Sequence, residues 1–164
     1  MRQSQREAEA LTPSKAAEFL LDECRMVLPG IQALLGFQLI SVFSQGFGAS
    51  LSGFEQRLHL LAILLVVVAI AIIMTPAALH RANPREVGAD FILLTTRLLP
   101  ASMFLLALSI SIDFYLVGRV ILGGIIAVPA AALFMLFVTL WFVLPRSQAL
   151  QGMMVRGLDA SRDR

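Results

Sequence analysis

The chain has 164 residues, of which 58% are hydrophobic and only 15% are charged, whereas a soluble domain has roughly 45–50% apolar and about 25% charged residues. This composition excludes an ordinary soluble domain and favours a membrane protein. Glycine and proline, with 11 and 7 residues, occur at ordinary frequencies, so low-complexity disorder does not explain the shortage of charge. The arginines are dispersed and lack interleaved aromatic residues, and we therefore expect no nucleic-acid partner.

Long stretches without a formal charge predict the membrane spans. Residues 26–54, 58–80 and 120–145 contain no Asp, Glu, Lys or Arg, and about 20 apolar helical residues cross a hydrocarbon core of roughly 30 Å. The window between Arg97 and Asp113 is shorter, so one of these charges must enter the membrane boundary. We predict an all-α fold, a polytopic four-helix membrane bundle of residues 29–145, with spans at approximately 29–51, 58–79, 91–117 and 120–144.

The basic residues predict the orientation of this bundle. Of the 13 Lys and Arg residues, 11 lie in the N-terminal arm, around the second loop or in the tail of residues 146–164, and only Arg57 and Arg119 lie at the opposite end. By the positive-inside rule, both termini are cytoplasmic. We expect a multi-pass protein of the bacterial inner membrane, in contact with the lipid bilayer and without a cleaved signal peptide.

Residues 1–28 are predicted to form a cytoplasmic arm. Thr12 and Pro13 are typical of a helix start, and the segment from there to Leu28 is amphipathic. We expect an amphipathic helix at the inner membrane interface, which turns into the membrane at Pro29 and Gly30. The alternative is that this helix continues the first span with a kink.

Polar side chains recur within the predicted spans. Gln38, Ser41 and Gln45 fall on one stripe of the first span, and the third span carries a second polar side. Because an amide in lipid is costly, these groups must face protein or water. One interpretation is that the amides hydrogen-bond neighbouring helices. The other is a hydrated path within a homo-oligomer, lined by Gln38, Ser41, Gln45, Ser102, Ser109 and Asp113.

Charged residues also gather at the predicted cytoplasmic boundary, where they would form an ionic latch between the arm and the second loop. These residues are Glu23, Arg25, His80, Arg81, Asp90 and Arg97. We expect Arg97 and Asp113 to snorkel to the headgroups; the alternative is an inner gate at Arg97 and an outer vestibule site at Asp113. At the outer face, Glu55 and His59 lie one helical turn apart and hint at pH dependence.

Catalytic motifs are missing from the sequence. It contains no HExxH, no GxSxG and no glycine-rich phosphate loop. The two histidines fall at opposite ends of one predicted span, roughly 31 Å apart, so they cannot hold a haem between two helices of the chain. We expect no enzymatic activity, no cofactor and no metal site.

Several motifs resemble those of an uncharacterised bacterial family of four-span membrane proteins, some of whose members carry the label sodium:proton antiporter. The resemblance covers approximately residues 17–146 and rests on the run 23–39, Phe43, Phe47, Gln56-Arg57, the motif Pro76-x-x-x-His80-Arg81, Arg97, Trp141 and Pro145. It implies a four-span fold and a role in transport. Cation–proton exchange uses a carboxylate near the membrane midplane, whereas the predicted spans place Asp113 near an end.

Two functions follow from these patterns. The first is a small integral membrane protein that oligomerises and forms or regulates a cation or proton pathway. The alternative is a structural or accessory membrane protein that transports nothing and docks a protein partner at the cytoplasmic face, through the arm and the inner loops.

Overall fold

The computed structural model describes residues 13–82 and 89–146, and all of its regular structure is helical. Its elements are α1 (Pro13–Val42), the single turn α2 (Phe47–Ser50), α3 (Gly53–Ala82), α4 (Ala89–Leu122) and α5 (Ala127–Val138). A 3₁₀ turn, Gly123–Ile126, precedes α5, and a π turn, Thr139–Val143, and a 3₁₀ turn, Leu144–Arg146, follow it.

Four segments of this structure are long and apolar enough to cross a membrane. They are Glu18–Val42, Gly53–Ala82, Phe91–Leu122 and Ala127–Arg146. The predicted all-helical, four-span membrane bundle is confirmed. We call the end of the bundle with residues 43–52 and 123–126 the short-loop end, and the opposite end, where α1 begins, the terminal end.

The predicted turn at Pro29 is absent, because α1 is one continuous helix through this proline. Pro76 and Pro100 likewise lie inside α3 and α4. Transmembrane helices tolerate proline where neighbouring groups satisfy the freed backbone carbonyl. The backbone of residues 13–42 is thus one helix, and the position of its N-terminal half at the membrane interface stays a prediction. Residues 1–12 of the predicted arm and residues 147–164 of the predicted tail lie outside the described residues.

The third span is longer than the distribution of charges predicts. Helix α4 ends at Leu122 rather than near Val117, and Asp113 therefore lies well inside it. The chain then reverses at Gly123, whose φ of +76° is in the left-handed region that glycine adopts without steric cost. The fourth span consequently begins at Ala127 instead of near Val120.

The core of the bundle lies between α3 and α4. On α3, residues at alternating intervals of four and three positions, Ala62, Val66, Ala69 and Ile73, are almost fully buried. Ser102 and Ser109 are completely buried on α4. Small side chains at such a contact allow two helix backbones to approach closely. Helix α1 packs against this pair of helices through residues that include Cys24 and Ile31.

Helix α5 packs on the far side of α4 and is mostly exposed, with Ala130 its one buried residue. Space is restricted at Gly118 of α4, where an added Cβ would lie 2.2 Å from Cγ1 of Ile126 and 2.5 Å from Cδ1. The absence of a side chain at Gly118 therefore leaves space for Ile126, which directly precedes α5. Phe104 adds edge-on ring contacts with Phe134 and Phe142.

Gly118→Ala is expected to destabilise the protein by about 1–3 kcal/mol, because the new methyl group overpacks a filled site. Gly36→Ala is the matched control, since Gly36 also lies inside a helix but has no atom within 4 Å of an added Cβ. The free energy of unfolding from an SDS titration in mixed micelles measures both changes. Equal stability of the two variants would contradict the close contact between Gly118 and Ile126.

Candidate functional site

Polar side chains from three helices meet inside the bundle near the short-loop end. Gln38, His59 and Asp113 stand four, six and nine residues from the nearest ends of α1, α3 and α4, respectively. Because α1 and α4 run opposite to α3, these positions lie at a similar level of the bundle. Gln38 and His59 are 4% and 6% exposed. Such a cluster is costly in a membrane-spanning segment unless its members satisfy one another.

The amide of Gln38 connects α1 to α4. Its Nε2 donates hydrogen bonds to Ser109 Oγ at 3.0 Å and to Asp113 Oδ2 at 2.5 Å. Ser109 in turn donates to the carbonyl oxygen of Ala62 on α3 at 2.9 Å. Since the hydroxyl hydrogen of Ser109 is used in that bond, Ser109 must accept from Gln38, and this assigns the amide nitrogen to the side facing α4.

The ring of His59 lies between α1 and α4. Its Nε2 is 3.0 Å from the carbonyl oxygen of Gln38 and 3.0 Å from Ser41 Oγ. Ser41 gives its own hydrogen to the same carbonyl at 2.7 Å, so both neighbours of Nε2 act as acceptors and Nε2 carries a hydrogen. On the other side of the ring, Nδ1 is 3.3 Å from Asp113 Oδ1. A proton on Nδ1 would make this contact an ion pair with the carboxylate.

Two acceptors in the cluster remain unused. Within the described residues, Gln38 Oε1 and Asp113 Oδ1 are buried without a hydrogen-bond partner. For Asp113 Oδ1, the ring nitrogen of His59 is close enough for an ion pair but lies off the direction of a hydrogen bond. A buried acceptor that lacks a donor costs about 1–3 kcal/mol, and both orphaned atoms are acceptors. Each of the two atoms can therefore accept a hydrogen bond from a further donor or cation.

A cavity of about 280 Å³ lies directly against this cluster. Gln38, Ser41, His59 and Asp113 form its polar side. The remaining walls are apolar and consist of Leu34, Phe37, Phe47, Leu51, Leu116, Val117 and Val120. Because Phe37 of α1 and Val117 and Val120 of α4 are exposed, the cavity opens at the lateral face of the bundle between these helices.

A second network closes the short-loop end above the cavity. Ser52 caps the start of α3, since its Oγ accepts from the backbone N–H of Glu55 at 3.4 Å. In return, the backbone N–H and the hydroxyl of Ser52 both donate to Glu55 Oε2 at 2.8 Å. This is the capping-box arrangement at a helix N-terminus. Glu55 Oε1 also pairs with Arg119 Nε of α4 at 3.2 Å. The predicted neighbours Glu55 and His59 therefore belong to different networks, one structural and one beside the cavity.

Comparison with models of protein families gives a match over most of the chain. The model of a family of unknown function, DUF6328, matches residues 7–145, which include every helix described above. The chain belongs to this family. The resemblance to an uncharacterised family is confirmed. Neither a curated protein nor a solved structure matches the chain.

Within this member of the family, the structure brings four of the predicted pathway residues together. Gln38, Ser41 and Asp113 line the cavity, and Ser109 bonds to Gln38 behind it. Ser102 lies deeper, where it is buried and donates to the carbonyl of Leu99 on its own helix. Gln45 is exposed and is not part of the stripe, because α1 ends at Val42 and helical spacing stops there.

Asp113 and Arg97 have different surroundings. The carboxylate of Asp113 does not extend towards the headgroups but is held inside the bundle by Gln38 and His59. Snorkelling is therefore the wrong interpretation for Asp113, because buried polar partners replace the solvent that it would otherwise need. The side chain of Arg97 is exposed, as snorkelling requires.

The sequence patterns placed His59 at the outer surface and did not connect it with Asp113. The residue lies six positions inside α3 and faces two other helices. One signal in the sequence was available: in an up-and-down bundle, Gln38, His59 and Asp113 are at similar distances from the short-loop end. Only the packing of the helices shows that these residues also share a face.

The predicted cytoplasmic cluster is only partly assembled. Arg25, His80 and Arg81 line a cavity of about 490 Å³ between α1 and α3 at the terminal end. Glu23 is exposed, and the ion pair of Arg25 is with Asp22 on the same helix, at 3.6 Å. Among the side chains that the structure describes at this end, no ion pair joins α1 to α3. The predicted latch to the second loop involves residues 83–88, which lie outside the described residues. The side chain of Asp90 lies outside the described part.

Within residues 13–82 and 89–146, no group of three or more His, Cys, Asp or Glu residues is arranged to hold a metal ion. Amide, imidazole, carboxylate and hydroxyl groups are instead mixed around one cavity. This arrangement suits the binding and release of a proton or of a hydrogen-bonding cation.

The two glutamines of the predicted stripe provide a direct test of this geometry. Gln38→Leu is expected to lower the free energy of unfolding by about 1–3 kcal/mol, because Asp113 and Ser109 lose their buried donor. Gln45→Leu, at an exposed position, is expected to change it by no more than about 0.5 kcal/mol. The SDS titration used for Gly118 measures both. A Gln38→Leu variant as stable as wild type would contradict the buried network.

Proposed function

We propose that this protein forms a proton pathway in the membrane and that the His59–Asp113 pair is the site where the proton binds. The observation that carries this proposal is the contact of 3.3 Å between Nδ1 and Oδ1, on two different helices, within membrane-spanning segments. Ionisable side chains inside a membrane span are expensive, and their usual role is in an ion or proton path.

The hydrogen bonds around the pair favour a proton site over a purely structural one. The surroundings of His59 hold the hydrogen on Nε2, so a proton that leaves or arrives is carried by Nδ1 or by Asp113. A cluster that only joined helices would gain from complete pairing, whereas Gln38 Oε1 and Asp113 Oδ1 are left open beside a cavity. A buried ion pair is also weak evidence for a stabilising role.

The rest of the pathway lies outside the packed interior of one chain in this proposal. Towards the terminal end, the site is followed by Ala62, Val66 and Ala69, each fully buried against α4. Such packing leaves no space for a continuous chain of water molecules within a single bundle. We place the continuation between copies of the chain, as a homo-oligomer would allow, and its oligomeric state is measurable by native mass spectrometry.

Proton flux in liposomes tests the proposed function. The purified protein is reconstituted into vesicles that contain a pH-sensitive dye, and a potassium gradient with valinomycin sets the membrane potential. When the membrane potential is negative inside, we expect the vesicle interior to acidify faster than that of protein-free vesicles. When the potential is reversed, we expect the direction of the proton flux to reverse as well. Flux equal to that of protein-free vesicles at both signs of the potential would contradict the proposal.

The terminal-end cavity favours a second candidate function, the docking of a partner. Its lining contains the cationic Arg25 and Arg81 and the imidazole of His80, with no carboxylate among the described lining residues. Such a surface suits an acidic segment of another protein. This function predicts a companion in a mild-detergent purification that is lost in the double variant Arg25→Ala and Arg81→Ala. Purification of the same companion with that variant would contradict it.

A further inference from the structure

We infer that the cavity beside Gln38 and Asp113 binds a primary or secondary ammonium ion with a compact apolar body. This inference rests on the proposed function, since the ammonium is then the cation that exchanges with the proton at the same site. It assigns a class of ligand to the site.

The unused hydrogen-bonding atoms define the polar end of the ligand. Gln38 Oε1 and Asp113 Oδ1 are both acceptors, both are buried, and both residues line the cavity. Gln38 itself is 4% exposed, so bulk solvent does not supply the missing donors. A ligand that satisfies the two atoms must offer at least two N–H or O–H donors, and a positive charge strengthens the bond to the carboxylate.

The other walls define the body of the ligand. Seven of the eleven lining residues are apolar, and two of these, Phe37 and Phe47, are aromatic. A cavity of about 280 Å³ accommodates a single ring or a short alkyl chain together with its ammonium group. Because the mouth between α1 and α4 faces the membrane, an amphipathic molecule reaches it from the lipid.

The same charges make the ammonium and the proton compete. With the proton on Nδ1, the pair is electrically neutral, and an added cation would meet the imidazolium. When the proton leaves, Nδ1 becomes a third acceptor beside Oδ1, and a single negative charge remains for the ammonium. At this end of α3 and α4, the other charged side chains are Glu55 and Arg119, which pair with each other, and Arg57, which is exposed. On α1 and α2, no charged residue lines the cavity.

Three related compounds separate charge, hydrogen bonding and apolar contact in the wild-type protein. Isothermal titration calorimetry in nanodiscs compares 2-phenylethylammonium with 2-phenylethanol, which lacks the charge, and with 2-phenylethyl(trimethyl)ammonium, which lacks the N–H donors. We expect each analogue to bind at least roughly tenfold more weakly than the ammonium. Equal affinities for the three compounds would overturn the inference, because they would indicate simple partition into an apolar space.

Variants and proton counting complete the test. Gln38→Leu is expected to weaken binding of 2-phenylethylammonium by roughly tenfold or more, and Asp113→Asn to abolish it, whereas Gln45→Leu and Asp22→Asn bind as wild type does. Titration in buffers of different ionisation enthalpy counts protons, and we expect up to one proton to be released per ammonium bound. Unchanged affinity in a Gln38→Leu variant of wild-type helicity would overturn the inference.

Different results would refute the proposed ammonium site and the proposed proton pathway. Proton flux in vesicles without binding of 2-phenylethylammonium would refute the ammonium site and leave the proton pathway standing. Specific binding of the ammonium without proton flux would refute the pathway and support the site.

Discussion

Asp113→Asn is expected to abolish proton flux through reconstituted vesicles, with a loss of at least about a hundredfold. The asparagine amide is close in shape to the carboxylate that it replaces, but it neither binds nor releases a proton in the accessible pH range. His59 then lacks its carboxylate partner.

The matched control for this substitution is Asp22→Asn. Asp22 is an exposed carboxylate whose pairing with Arg25 is on the surface of one helix, and we expect flux as in wild type. Asp113→Glu keeps the titrating group but displaces it by one methylene, so flux is expected to fall without vanishing. Flux through Asp113→Asn equal to that through Asp22→Asn, at equal incorporation into the vesicles, would exclude Asp113 from the path.

Replacing only one residue of the His59–Asp113 pair is expected to lower the free energy of unfolding more than replacing both. His59→Leu leaves a buried carboxylate without its cation, and Asp113→Leu leaves Gln38 and the imidazole without their acceptor. Each single substitution is expected to lower the free energy of unfolding by about 3–5 kcal/mol, the range for a buried pair deprived of one partner. The double variant, with two leucines in contact, is expected to lose less than either single variant.

This double-mutant cycle isolates the interaction between the two side chains. SDS titration of the wild type, the two single variants and the double variant gives the coupling energy. Because the double variant is expected to lose less than either single variant, we expect this energy to exceed the cost of a single substitution, at about 3 kcal/mol or more. Additive losses would show that His59 and Asp113 do not interact in the folded protein, whatever the separate cost of each substitution.

The number and class of the spans could be predicted because the membrane imposes them. A span must be apolar over the hydrocarbon thickness and must satisfy its own backbone, so charge-free windows identify helices directly. The same rule predicted too short a third span, because it treated Asp113 as a marker of the membrane boundary. A charge that finds partners inside the bundle, as Asp113 does with Gln38 and His59, lies within a span and breaks the rule.

The site itself was predictable only in part. Gln38 and Ser41 were identified from helical spacing on α1, since that spacing is a local property of one helix. Gln45 does not continue the helical stripe because α1 ends at Val42, which the sequence does not mark; its role in a pathway stays a prediction. His59 was missed because its partners come from other helices, and a contact across 18 to 54 positions of sequence is decided by packing rather than by local pattern.

Infrared difference spectroscopy of the protein in lipid vesicles tests most directly whether His59 and Asp113 bind a proton. Spectra at alkaline and acidic pH are subtracted for the wild type, Asp113→Asn and His59→Gln. We expect a signal from the protonation of a carboxyl or imidazole group inside the bundle, which Asp113→Asn removes or shifts and His59→Gln also changes. Identical difference spectra for the wild type and both variants would contradict it.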